Sequence, residues 1–136
     1  MLLLDNSAWA RRRQAAVRAR VARDMGAGLV ATCLPFLLEA GYSARSAHDH
    51  ATIVTDLAML PRVEITPAVE RHALEAQAAL ASVGHHRLSP IDILIAACAH
   101  ESGAGVLHYD RDYDVLREHT RLRFQSEWLA PAGTLD

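Results

Sequence analysis

A chain of 136 residues, 51% hydrophobic and 22% charged, has the size for one compact domain with one core and leaves no room for a second. Its formal net charge of -2, with every one of its 14 basic residues an arginine, excludes a general polyanion coat, so any nucleic-acid contact has to be local. The opening Met1-Leu2-Leu3-Leu4-Asp5 meets a charge after three leucines, which predicts neither a signal peptide nor a membrane span and points to a soluble cytoplasmic protein.

Leu2 to Leu4 reads as a short buried strand stopped by Asp5, and Ser7 opens a helical stretch to about Met25 that carries Arg11, Arg12, Arg13, Arg18, Arg20 and Arg23. Those arginines suit either a phosphate grip or a solvated helix face. Gly26 and Gly28 end the stretch, Leu29 to Thr32 forms a second strand, and Pro35 sits in the first turn of a short helix bearing Phe36, Leu38 and Glu39. Ala47, Ala51, Val54, Leu57, Ala58 and Leu60 recur at helical spacing between Ser43 and Leu60, up to Pro61. Val63 to Thr66 alternates as a strand edge, and Pro67 starts a helix that reaches about Val83. Ser89-Pro90-Ile91-Asp92 is a helix start, with serine to cap and proline in the first position, leading into an apolar helix from Ile93 to His100. Gly103 and Gly105 close it, Val106 to Tyr109 makes a strand, Asp110 to Asp114 an acidic turn, and a last strand is expected near Leu122 to Phe124. The tail 131–136 is expected to fray.

Short apolar strands alternating with helices define an α/β fold whose central, mostly parallel sheet is covered on both faces. In such a sheet, ligands gather beyond the carboxyl ends of the strands. Asp5 and Asp110 follow strands directly, Glu39 lies about a turn into its helix, and Asp92 is in the first turn of another. Four carboxylates on one rim repel one another unless a hard cation neutralises them, and an oxygen-only set suits Mg²⁺ or Mn²⁺ better than Zn²⁺. Phosphate-ester hydrolysis is the natural chemistry of such a centre. Taken one at a time, Asp5, Asp92 and Asp110 are equally good helix caps.

Four motifs occur in order along nearly the whole chain: Leu3-Leu4-Asp5-Asn6-Ser7-Ala8-Trp9, Leu37-Leu38-Glu39, Leu88-Ser89-Pro90-Ile91-Asp92-Ile93-Leu94-Ile95-Ala96-Ala97, and Leu107-His108-Tyr109-Asp110-Arg111-Asp112-Tyr113-Asp114. Together they resemble the PIN-domain ribonucleases, and in particular the VapC-type toxins of toxin–antitoxin pairs. The resemblance implies a three-layer α/β/α fold in which Asp5, Glu39, Asp92 and Asp110 bind Mg²⁺ or Mn²⁺ and orient the attacking water. It further implies Asp112 as an additional ligand and Ser7 as a minor polar contact. It also implies an endoribonuclease acting on cellular RNA, transfer or ribosomal RNA above all, a homodimer, and a cognate VapB-like antitoxin that blocks the cleft. Asn6 stands where the family often has threonine, and Cys98 where it often has a small hydroxyl residue.

Two other functions share part of this pattern. An aspartyl-phosphate phosphatase also places an aspartate after its first strand but has a second acid where Ser7 stands, and a PIN-like interaction module would have lost the acids kept here. Cys33 and Cys98 lack CxxC spacing, so neither a disulfide framework nor a zinc ribbon is expected. None of the eight histidines has zinc-site spacing along the sequence. His108 is expected to pack beside the site, and Trp9 and Tyr42 to serve as scattered core aromatics.

Overall fold

A computed structural model describes residues 1–136. Five strands, β1 (Leu2–Leu4), β2 (Val30–Cys33), β3 (Arg62–Val63), β4 (Gly105–His108) and β5 (Ser126–Trp128), form one sheet in the order β3-β2-β1-β4-β5. Every neighbouring pair is parallel. The strand residues Leu3, Leu4, Val30, Ala31, Val106 and Leu107 are all fully buried, as continuous apolar runs must be when helices cover both faces.

The helices are α1 (Asn6–Trp9), α2 (Arg18–Gly26), α3 (Leu34–Tyr42), α4 (Ala47–Leu57), α5 (Pro67–Ser82), α6 (Pro90–Ser102) and α7 (Asp112–His119). The chain steps outward from β1 to β2 to β3, then crosses back to β4 on the other side of β1 and on to β5. Right-handed crossovers therefore put α1 to α4 on one face and α5 to α7 on the other. In the packing, α5, α6 and α7 contact one another, and α3 contacts α1 and α4 and also reaches α6. The reversal between β1 and β4 leaves a crevice at the carboxyl ends of these two strands, where a doubly wound sheet binds its ligands.

Local chemistry sets most helix starts. The side chains of Ser46, Thr66 and Ser89 accept the backbone N–H of Asp49, Val69 and Asp92, respectively, each such cap contributing about 1 kcal/mol. Pro35, Pro67 and Pro90 occupy first-turn positions where no N–H is missed. Gly103, with φ at 71°, turns the chain out of α6.

Five expectations are corrected. The strand expected over Val63–Thr66 is confined to Arg62–Val63, and Thr66 instead caps α5. The stretch from Ser7 to Met25 is two helices, α1 and α2, joined by turns over 10–17. Trp9, Val17 and Val21 are all buried, yet Val21 would lie roughly 120° round a continuous helix from Trp9, so the chain breaks to bury both ends. Between Ser43 and Leu60 only 47–57 is helical, and Ala47, Ala51, Val54 and Ala58 are exposed, with Leu57 the fully buried anchor. The last strand lies at Ser126–Trp128; Leu122 and Phe124 are buried in the extended lead-in, and pairing begins where Val106 meets Ser126. The acidic turn continues into α7, which buries Tyr113 and Leu116 three residues apart and carries acids in its first turn and bases in its last, the charge order that a helix dipole favours.

The tail, expected to fray, lies against the turns after α1. The Leu135 N–H donates to the Tyr109 hydroxyl (2.8 Å), and the Asp136 carbonyl accepts from Arg11 Nε (3.1 Å) and Gln14 Nε2 (3.2 Å).

Gly105 begins β4 beneath Leu2. A Cβ there would lie 2.7 Å from Leu2 Cδ2 and 2.8 Å from the Gln125 carbonyl oxygen, inside contact distance of both neighbouring strands. Gly105→Ala is expected to cost about 1–3 kcal/mol, read as a lower urea midpoint with an unchanged slope.

Candidate active site

Asp5 leaves the end of β1 as the N-cap of α1 and is 3% exposed. Its Oδ2 accepts the Ser7 N–H (2.9 Å) and a short hydrogen bond from the Ser7 hydroxyl. Its Oδ1 accepts the Tyr113 hydroxyl at 2.7 Å. The Ser7 Oγ in turn accepts the Tyr109 N–H (2.8 Å), which joins the end of β1 to the end of β4. The capping role open to Asp5 in the sequence is thus realised, and both its oxygens are engaged.

Asp92 enters from the first turn of α6 and is 7% exposed. Its Oδ1 lies 3.4 Å from the Tyr113 hydroxyl, whose proton is committed to Asp5. Burial first, then the charges of Asp5, Asp110, Asp112 and Glu39, push the Asp92 carboxyl up to about 8. Glu39, half-buried on α3, is raised by burial and by Asp5 and Asp110. Asp112 is raised by burial and by Asp110 and Asp5, with His85 pulling the other way. Asp110, after β4, accepts the Asp112 N–H on its Oδ1 (2.9 Å).

The structure therefore brings Asp5, Glu39, Asp92, Asp110 and Asp112 within electrostatic reach of one another at the switch point. Carboxylate oxygens of Asp92, Asp110 and Asp112 lie within 4.8 Å of each other, while Asp5 joins through Tyr113 and Glu39 stands at the edge. Asp114 is turned away: its Oδ1 accepts the Ser126 hydroxyl (2.9 Å) and its Oδ2 the Trp128 indole N–H (3.0 Å).

Tyr113 and the orphaned Asn6 side chain were not legible in the sequence, whereas His108 packs beside the site as expected. Tyr113 is fully buried and links Asp5 to Asp92, and burial, followed by those carboxylates, raises its phenol well above its ordinary value. His108 is fully buried, with burial holding its imidazole below the ordinary value. Because its Nδ1 accepts the Asp110 N–H (3.1 Å), the ring proton sits on Nε2 and is donated to Ser126 Oγ (2.7 Å). A chain His108–Ser126–Asp114 thus fixes the backbone that presents Asp110. Asn6 Oδ1 is buried with no partner beside Asp5. The spacing of Tyr113 three residues after Asp110 was the available signal for the first of these.

Most of the arginine-rich segment is occupied. Arg11 lies over the Tyr109 ring (4.6 Å to its centroid) and donates to the Ser7 carbonyl (2.9 Å); Arg12 lies over Trp9 (3.8 Å) and donates to its carbonyl. Arg20 holds Glu127 and the carbonyls of Trp128 and Leu129, and Arg23 pairs with Asp24. Arg13 and Arg18 remain exposed. Trp9 is core, but Tyr42, expected to pack, is 91% exposed because α3 turns that face outward. Cys98, at the position where a hydroxyl residue is frequent, is fully buried, as is Cys33.

Comparison with known proteins agrees with this geometry. The PIN domain family matches residues 2–119. Ribonuclease VapC51 of Mycobacterium tuberculosis is 38% identical, over 98% of this chain and 96% of its own length, and ribonuclease VapC21 of the same species is 41% identical over 97% and 96%. The chain belongs to the PIN-domain family, among its VapC ribonucleases. By fold it is similar to a chain of the DNA-bound VapBC complex of Salmonella typhimurium (TM-score 0.75, 19% identity, covering 96% of this chain and 100% of that one). A chain of the DNA-bound VapBC2 complex of Rickettsia felis is also similar (TM-score 0.73, 13% identity, covering 93% and 98%). No helix is long and apolar enough to cross a membrane.

Two measurements follow. The folded Asp92 value of about 8 lies above the ordinary 3.8, so between them the native state binds the extra proton and the cation-free protein loses stability as pH rises. Thermal denaturation in chelator should show the parent's melting temperature falling from about pH 5 to about pH 8, with a flatter profile for Asp92→Asn. Asp114→Ala removes the acceptor of Ser126 and Trp128 and is expected to cost about 2 kcal/mol in urea unfolding, whereas Asp112→Asn, which relieves repulsion, should cost less than about 0.5 kcal/mol.

Proposed function

We propose that this protein is a metal-dependent endoribonuclease, the toxin of a toxin–antitoxin pair, and that its centre is the acidic crevice between β1 and β4. The observation that carries this reading is the convergence of five carboxyl groups from four separate segments, with burial and mutual repulsion pushing Asp92 to about 8 and Glu39 and Asp112 upward. Natural folds hold such a group together where a divalent cation completes it.

The donor set fits that cation. Oxygen donors of Asp92, Asp110 and Asp112 are close enough to share one ion after small side-chain shifts, and an all-carboxylate set selects Mg²⁺ or Mn²⁺. Asp5 and Glu39 complete the negative cradle. Such an ion supplies neutralisation of the charge that develops on a phosphodiester during hydrolysis. The protein's own part is orientation and proton handling. Tyr113 and Ser7 hold the Asp5 carboxylate in one rotamer. Asp92, whose carboxyl is pushed up to about 8, would be ionised with the ion in place and would then help to orient the attacking water. His108 and Ser7, both bonded to main chain at the end of β4, keep Asp110 at its place on the rim.

The names of the relatives support ribonuclease activity, and the VapBC complexes among the structural neighbours support a VapB-like antitoxin as partner. Transfer or ribosomal RNA is the substrate class we assign, and a homodimer the assembly. The covalent phosphatase reading is disfavoured because Asp5 is buried with both oxygens hydrogen-bonded, leaving no free nucleophile.

Antitoxin-free protein incubated with transfer and ribosomal RNA should cleave in Mn²⁺ or Mg²⁺ and stop cleaving in chelator. Asp92→Asn and Asp110→Asn should each lower the cleavage rate by about 100-fold or more, as expected for groups acting on the transition state. Equal cutting by parent and variants, or in chelator, overturns the assignment.

A further inference from the structure

A second group of ligating side chains lies at the other end of α6. His72 on α5 faces His100 and Glu101 in the last turn of α6, and donor atoms of all three lie within 4.8 Å of one another. The His72 Nε2 is 3.1 Å from a Glu101 carboxylate oxygen and its Nδ1 is 3.9 Å from one of Glu75. The imidazoles of His72 and His100 meet edge to face, with centroids 4.5 Å apart. The cleft beside them, about 600 Å³, is lined by His72, Glu75, Ala76, Ala79, His100 and Arg121.

We propose that His72, His100 and Glu101, with Glu75 in reach, form a site for a borderline transition-metal cation such as Zn²⁺, distinct from the acidic crevice. Two imidazole nitrogens and one or two carboxylates are the donor set of tetrahedral zinc, whereas Mg²⁺ and Mn²⁺ favour oxygen alone. Zinc bonds of ~2.0–2.2 Å place ligand atoms closer together than 4.8 Å, so the side chains must draw in, as half-exposed His72 and Glu101 are free to do. The charges are favourable: Glu75 and Glu101 outweigh Arg121, and the carbonyl end of α6 adds partial negative charge. Eight residues separate Asp92 from His100, about 12 Å along the helix axis, too far for one ion to serve both groups.

One bond must be given up. His100 Nδ1 accepts the Arg123 N–H (2.9 Å), which leaves the neutral ring's proton on Nε2. Ligation through Nε2 moves that proton to Nδ1, and ligation through Nδ1 displaces the N–H outright. Either way the Arg123 amide changes partner, and the ion ties α5 to α6 while releasing the start of the lead-in to β5.

Zinc titration of the full chain tests the site, using Zn²⁺ alone in the absence of RNA. The Asp92→Asn/Asp110→Asn protein, with its crevice impaired, should keep the parent's zinc affinity at this site, while His72→Gln/His100→Gln should lose more than about tenfold. In the parent, zinc should shift the His72 and His100 ring resonances and the Arg123 amide, a measurement that needs no variant to fold. Undiminished affinity in the histidine variant, or zinc shifts confined to other residues, overturns the proposal.

Discussion

Repulsion among carboxyl groups that the fold does not let separate governs this molecule. Asp5, Glu39, Asp92, Asp110 and Asp112 arrive from the ends of β1 and β4, from the second turn of α3 and from the first turns of α6 and α7, and burial and their neighbours' charges push Glu39, Asp92 and Asp112 upward. A buried carboxyl in that setting keeps its proton unless outside charge is supplied. The sheet order makes the arrangement unavoidable: β1 is hydrogen-bonded to β2 on one side and β4 on the other, so acids following β1 and β4 face the same crevice.

The support beneath the acids is polar and connected. Tyr113 holds Asp5 from below, Ser7 couples Asp5 to the Tyr109 backbone, and His108 passes its Nε2 proton toward Ser126 and Asp114. Trp128 closes the chain by donating to Asp114 and packing edge-on against His108 and Tyr109. Of the acids in the last motif, Asp110 and Asp112 face the crevice while Asp114 anchors β5 to α7. Neighbouring carboxyls thus divide between the crevice and the β5–α7 junction within five residues of chain.

The parallel core strands and the starts of α3, α5 and α6 were readable because their signals are local: apolar runs, a first-turn proline in each helix and, at α6, a capping hydroxyl. Gathering the acids at one rim was readable too, since the ends of adjacent parallel strands share an edge. What depended on distant partners was not. The break after Trp9 follows from burying Trp9 and Val21 on different surfaces, α4 is held by Leu57 while its small residues face out, and β5 starts only where β4 offers Gly105 and Val106. Tyr113 looked like one more residue of an acidic turn, because its role comes from a phenol reaching a strand 108 residues away in sequence.

The outermost strands are short, β3 contributing two residues and β5 three. So brief a ladder offers too few free main-chain groups to recruit a strand from another molecule, and exposed Pro61 and Arg62 at the β3 border blunt it further. Crowded copies of the chain therefore find little foothold for cross-β stacking along these two edges.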